Sequence, residues 1–287
     1  FGDRQAHRDA DAYVQINIQH PKHVKEPFRE PFYNFITSSR KPFIVFESAV
    51  FRQNVSNNFK DKYFRFAWNS FLWNEAEFGP MGNGPDRWQR IQQEQDIEIR
   101  PWREKRGEYI LVVLQHVIDT SLVRMIESYG SYYNWFFNCI SQIRSHSDLP
   151  IVVRPHPKHG MYTEFFDAYR IPEVFNVFKD VYWSNNQGAD GLNGGKFLER
   201  DLDDAHAVVG WTSNALTEAA CYGVPTYPMS PGAMVTPVAE RPISEIDKIY
   251  KMPDRQQWLN DLAYCQWTYQ EIQDGTAWNH IKNANIT

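Results

Sequence analysis

Cysteine is scarce in this chain: Cys139, Cys221 and Cys265 are the only three in 287 residues. Three widely spaced thiols cannot build a disulfide framework or a cysteine-rich metal site. Cys221 and Cys265 fall in apolar helical patterns, which points to buried thiols and a reducing, cytoplasmic setting. Long apolar runs are missing too. The longest, Tyr109 to Leu114, is far short of the roughly 20 residues a membrane helix needs, and Phe1-Gly2-Asp3-Arg4 carries no signal-peptide pattern. No Walker loop, GxGxxG, GxSxG or HxE…CxxC set occurs. That disfavours P-loop phosphoryl transfer, dinucleotide oxidoreduction, serine hydrolysis and zinc deamination. Asp190, Asp201, Asp203 and Asp204 read as loop and cap residues, so no metal is expected. Positive charge is in short supply as well. The net charge of −5 argues against a generic polyanion binder. It is uneven, however: residues 1–105 hold 16 Lys+Arg against 14 Asp+Glu, a balance of +2, and the remainder 14 against 21, a balance of −7. A polyanion would meet the N-terminal part.

Aromatic residues are plentiful. Ten Trp, 15 Tyr and 19 Phe exceed what a core needs, so some are expected to line clefts. The length suits two modest domains or one large one. Tyr13–Ile18 and Pro42–Glu47 read as strands, with helical spacing between them from Pro31 to Ser39. A helix is expected around Phe71–Phe78, then a mobile, turn-rich loop over Gly79–Pro85. From Ile99 onward the chain alternates regularly. Strands at Tyr109–Leu114, Leu149–Val153, Val181–Trp183, Ala207–Val209 and Pro225–Tyr227 are separated by helices at Ser131–His146, Tyr162–Tyr169, Gly195–Asp203 and Ala215–Tyr222. That rhythm means a parallel, doubly wound sheet. Asp254–Gly275 reads as one long amphipathic helix. The expected architecture is α/β, with two Rossmann-like domains facing a cleft at the carboxyl ends of their strands. The boundaries are a small first domain over 1–103, a second over 104–253, and a helix and tail over 254–287 that cross back to the first.

The most informative stretch is Val208 to Pro225: a buried strand, the turn Trp211-Thr212-Ser213-Asn214, a helix and a Gly-Val-Pro exit. A helix start of this kind favours anions through its N–H donors and dipole. Gly210 permits close approach, Thr212, Ser213 and Asn214 are polar, and Glu218 lies one turn inside the helix, placed to accept from a sugar hydroxyl. A plain N-cap is the competing reading. Arg154-Pro155-His156-Pro157-Lys158 follows another strand, and its prolines stiffen a loop that presents Arg154, His156 and Lys158 to a phosphate. Gln115 ends a third strand, followed by His116, Asp119, Thr120 and Ser121. Glu47 ends a strand of the first domain, where a carboxylate suits a general base; pairing with Arg52 or Arg65 is the structural alternative. Lys60, Lys62 and Arg65 interleave with aromatics, a pattern that suits a nucleic-acid backbone and base stacking, though core aromatics with solvated cations are the commoner case.

Arg154-Pro155-His156-Pro157, Thr212 to Ala219, and Gly223-Val224-Pro225 resemble the donor half of GT-B glycosyltransferases. The resemblance is to capsular-polysaccharide-type enzymes and related phage-encoded, DNA-modifying ones, and it covers roughly residues 100–280. It implies that Thr212, Ser213 and Asn214 hold a donor diphosphate and Glu218 the ribose or sugar hydroxyls. Arg154, His156 and Lys158 would then neutralise the leaving nucleotide without a metal. The implied co-substrate is a nucleotide-sugar such as a UDP-sugar, with no permanently bound cofactor. The mildly basic, aromatic-rich first domain and the lack of a membrane anchor favour as acceptor a 5-hydroxymethylpyrimidine of double-stranded phage DNA, in the cytoplasm of an infected host. The base would be flipped out, with the 79–85 loop or an aromatic from 59–73 filling the gap, and held through Lys60, Lys62 and Arg65. The alternatives are a surface or capsular glycan acceptor, a CDP-polyol phosphotransferase, and a non-catalytic nucleotide-binding protein.

Overall fold

The computed structural model describes residues 10–16, 34–36, 38–51, 58–117, 119–156, 171–186, 194–239 and 241–284. The chain divides into two compact units, Phe1–Asp96 with Arg255–Thr287 as unit 1, and Ile97–Asp254 as unit 2. It runs through β1 (Tyr13–Ile16), β2 (Phe43–Ser48), β3 (Tyr63–Trp68) and α1 (Asp86–Glu94). Unit 2 follows with β4 (Tyr109–Val113), α2 (Val123–Tyr129), α3 (Tyr132–Arg144), β5 (Ile151–Arg154), α4 (Ile171–Val177) and β6 (Val181–Trp183). It continues through α5 (Gly194–Asp203), β7 (Ala205–Gly210), α6 (Asn214–Cys221), β8 (Thr226–Pro228) and α7 (Thr236–Ala239). The chain ends in unit 1 with α8 (Gln256–Tyr264), β9 (Gln266–Thr268), α9 (Tyr269–Gln273) and α10 (Thr276–Ile281). The helix expected over Tyr162–Tyr169 lies outside the described residues.

The sheet of unit 2 has the order β6-β5-β4-β7-β8, with every pair parallel. Its middle strands are covered on both faces, which is why Ile110 to Val113 and Val208-Val209 run apolar without alternation and are at most 2% exposed. Helix α3 begins at Ser131, whose hydroxyl accepts from Asn134 N–H. It turns Trp135, Phe136, Cys139, Ile140 and Ile143 into the core at helical spacing. Two glycines are dictated by packing. A Cβ at Gly210 would stand 2.8 Å from Val113 Cγ2 and 3.1 Å from its carbonyl oxygen. At Gly223, φ is +86° and a Cβ would fall 2.1 Å from Pro101 O, so the exit from α6 excludes any side chain.

Unit 1 departs from a Rossmann-like domain. Its sheet has the order β1-β2-β3-β9, in which only β1 and β2 are parallel, while β2–β3 and β3–β9 are antiparallel. The two faces of the β2–β3 ladder bury different sets. Ile44, Phe66 and Trp68 pack with Trp267, Ala277 and Ile281, whereas Val45 packs with Phe71 and Leu72. Residues 71–78 form turns instead of the expected helix. A single turn closes, with Ala76 N–H donating to Leu72 O, but Glu77 then pairs with Trp68 as a bridge and the Phe71 carbonyl accepts from Arg65, so no helix continues. The single helix expected over Asp254–Gly275 is broken by β9. Thr268 starts a new helix there through a capping box: its hydroxyl accepts from Glu271 N–H while Glu271 Oε2 accepts from Thr268 N–H. The Gly79–Pro85 loop is tied down, since Asp261 Oδ1 accepts from Gly82 N–H and Asn83 N–H at 2.8 Å each and from Asn83 Nδ2 at 2.9 Å.

Candidate functional site

Strands β5, β4 and β7 are neighbours, with Val113 in register with both Arg154 and Gly210. Their carboxyl ends therefore bring Arg154–His156, Gln115-His116 and Trp211–Asn214 to one edge of the sheet. Ligands of open α/β sheets bind at such an edge. Helix α6 starts there, so the positive end of its dipole faces the same edge. Ser213 is its N-cap, the hydroxyl accepting from Ala215 N–H at 3.3 Å. Asn214 and Glu218, four residues apart on one helix face, are both partly exposed.

A buried polar cluster fixes this turn. Thr212 N–H donates to Gln115 Oε1 at 2.8 Å, and Gln115 Nε2 donates to Ser121 Oγ at 2.8 Å and Thr212 Oγ1 at 3.1 Å. The Thr212 hydroxyl also donates to Ser121 Oγ at 3.0 Å. Asp119 in turn holds Ser121, accepting from its N–H at 2.9 Å. Gln115, Ser121 and Thr212 are at most 9% exposed. In this arrangement Gln115 and Thr212 form the floor under the α6 turn, and Ser121, which the sequence reading passed over as a site residue, joins them.

Several residues expected to face a ligand have packing roles instead. Arg154 is 6% exposed. Its Nη1 lies 2.6 Å from Asp201 Oδ2 and also donates to Asn186 O. Asp201 further accepts from Ser184 Oγ and Asn186 Nδ2. This buried pair ties β5, β6 and α5 together, so Arg154 does not project into a cleft. Gly210 packs directly against Val113 of the neighbouring strand, which accounts for its lack of a side chain. Arg65 is 6% exposed, and its guanidinium donates to Ser48 O at 2.8 Å and Phe71 O at 3.1 Å, which removes it from an acceptor surface. Lys60 and Lys62 are exposed. Glu47 Oε1 accepts from Ser48 N–H and the Ser48 hydroxyl at 2.6 and 2.8 Å. Lys158 lies outside the described residues.

His156 is partly exposed at the end of β5, and the ring of His116 meets it edge-to-face, with centroids 5.3 Å apart and planes at 81°. The sequence reading placed His116 at a strand's carboxyl end but gave it no role. Among the described residues, no group of three or more His, Cys, Asp or Glu side chains could hold a metal ion. Among the same residues, no helix is long and apolar enough to cross a membrane.

A third histidine of unit 2, His206, stands at the opposite edge of the sheet, 4% exposed. Its Nδ1 accepts from Gly107 N–H at 3.2 Å, which leaves Nε2–H to donate to Ile246 O at 2.9 Å. Burial pushes its pKa below the usual 6.5. The folded state thus resists the second proton, while the unfolded chain takes it near 6.5. The sign follows: this contribution to stability is complete above that pH and is lost as pH falls from there through the lower folded value. Denaturant midpoints of unit 2 measured from pH 7.5 to 5 should therefore decline below about 6.5, and His206→Gln should flatten the decline. An unchanged slope in the variant would refute this assignment.

Comparison with protein-family models finds no match, and comparison with curated proteins finds none. Among the solved structures that this chain resembles are two transferases. One is Thermosulfurimonas dismutans KpsC, beta Kdo 2,7 transferase, at 16% identity and a TM-score of 0.50 over 92% of this chain and 81% of that one. The other is Thermosulfurimonas dismutans KpsC, beta Kdo 2,4 transferase, at 10% identity and a TM-score of 0.48 over 89% and 79%. At this identity the first likeness is one of fold, a mixed α/β chain with a parallel sheet.

Proposed function

We propose that this protein is a glycosyltransferase that moves a sugar from a nucleotide-sugar to a hydroxyl acceptor. The observation that carries the reading is the carboxyl edge of the parallel sheet. There the start of α6, at Ser213 and Asn214, and the partly exposed His156 just beyond β5 share one sheet edge. The motif resemblance to capsular-type GT-B enzymes and the fold likeness to a Kdo transferase support it.

In this reading the bond from the sugar's anomeric carbon to the donor phosphate breaks, and a bond from that carbon to the acceptor oxygen forms. The acceptor proton passes to a base on the protein. The leaving phosphate gathers charge at the α6 start, where N–H donors and the dipole stabilise it. Asn214 and Glu218 would hold the phosphate and the adjacent hydroxyls. His156 is the favoured proton carrier, because it is partly exposed in the same unit as the donor turn, with Glu47 of unit 1 as the alternative. A GT-B arrangement of the two units, with unit 1 on the acceptor side, belongs to the proposal.

We assign the acceptor to a glycan hydroxyl. The DNA reading rests on a mildly basic, aromatic-rich first domain and the lack of a membrane anchor; burial of Arg65 takes one of its three cations from the surface, and Asp261 ties down the 79–85 loop. Mass spectrometry after incubation with UDP-, GDP- and CMP-linked sugars, CDP-glycerol, free glycans and hydroxymethylated duplex DNA tests the proposal. Glycan products with a nucleotide-sugar are expected. Mass gain on DNA nucleosides would restore the DNA acceptor, consumption of CDP-glycerol would indicate a polyol phosphotransferase, and no donor consumption at all would sink the transferase reading.

A further inference from the structure

We propose that His116 is a positioning residue that holds the His156 imidazole in its working orientation; this rests on the reading of His156 as the proton carrier. The two rings come from adjacent parallel strands that stay in register to their ends, where Leu114 N–H donates to Arg154 O at 2.9 Å. His156 follows that point by two residues, and a loop there has freedom that the strand does not. The edge-to-face contact at 5.3 Å and 81° is the geometry in which the positive rim of one ring meets the negative face of the other. It restricts rotation of the His156 ring. The backbone of His116 is in turn held by its neighbour: Tyr132 OH accepts from Gln115 N–H at 3.2 Å and donates to Gln115 O at 3.3 Å. The same Gln115 binds Thr212 on the other side, so one residue pair, Gln115-His116, sets both the α6 turn and the histidine across from it.

A ring contact of this kind needs an aromatic neighbour and not a proton donated by it. Phenylalanine at position 116 keeps the ring. His116→Ala should therefore lower kcat by about 10- to 100-fold, the loss expected for a misplaced catalytic group, with donor KM unchanged and the thermal midpoint retained, while His116→Phe should recover most of the loss. Equal activity of His116→Ala and the parent would overturn the proposal. Equal loss in His116→Ala and His116→Phe would overturn it too, since it would make His116 itself a proton carrier. A second arm needs no turnover. In 13C-labelled protein, His116→Ala should move the His156 ring resonance, identified by its loss in His156→Ala, and leave the histidines of unit 1 in place. A His156 resonance that stays put would overturn the positioning role even if the parent protein shows no transferase activity, an outcome that would separately sink the transferase reading.

Discussion

Replacing Arg87 by alanine is expected to destabilise unit 1 by the low end of the roughly 3–5 kcal/mol of a broken buried pair. Glu271 keeps only the more exposed Arg90, and two buried carbonyls lose their donor. Arg87 is 8% exposed and sits on α1. Its Nη1 and Nη2 donate to the two oxygens of Glu271 at 2.7 and 2.8 Å, Nε donates to Ala263 O at 2.8 Å, and Nη2 also donates to Gln266 O at 2.6 Å. The guanidinium lies 3.9 Å from the centroid of the Trp267 ring. One side chain thereby satisfies the carbonyls between α8 and β9, the carboxylate of the α9 capping box, and an aromatic face. Burial alone would raise the Glu271 pKa. The hydrogen bonds and charge of Arg87, with Arg90 at 2.6 Å, outweigh it and bring the group to about 2. Arg87→Lys keeps the charge but not the fork, so it should retain only part of the stability. Chemical denaturation of the three proteins checks this. A loss in Arg87→Ala within about 0.5 kcal/mol, the scatter of ordinary surface changes, would show that the network contributes little.

His156→Ala is the substitution with the largest expected effect on rate. Loss of a general acid–base group lowers kcat by about 10²- to 10⁴-fold. Donor KM should stay near its parent value, because the phosphate is held at the α6 start and not by this ring. Glu47→Ala discriminates the two candidate bases in the same assay. If Glu47→Ala loses the larger factor and His156→Ala is nearly silent, the proton leaves through unit 1 and the role of His156 falls back to binding. Both variants should keep the parent denaturation profile, since His156 and Glu47 are both only partly buried.

The second unit was legible in the sequence because its strands are covered on both faces, and a strand such as Ile110–Val113 must then be apolar throughout. The strand-turn-helix at Val208–Cys221 was legible for the same reason, with Ser213 as a recognisable N-cap. What the sequence concealed was the direction of side chains at strand ends. Arg154 and Gly210 occupy the positions where ligand contacts are expected, yet one turns inward to Asp201 and the other packs on Val113, and neither partner is near in sequence. Arg87 gave no signal at all, since its partners lie 176 to 184 residues away. The break between α8 and α9 was different. Thr268 and Glu271 carry a capping-box spacing, and Gln266-Trp267-Thr268 has strand character. That signal was in the sequence and was outweighed by the longer helical period around it.

The most direct test of the central claim is nucleotide binding at the start of α6. Titration calorimetry with UDP and CMP should give saturable binding to the parent protein. Asn214→Asp should weaken it severely, because a carboxylate at the first helical position occupies the dipole end and repels phosphate, while a carboxylate at that place is not expected to harm the helix itself. Undiminished affinity in Asn214→Asp, with the fold intact, would contradict the account and place the donor elsewhere.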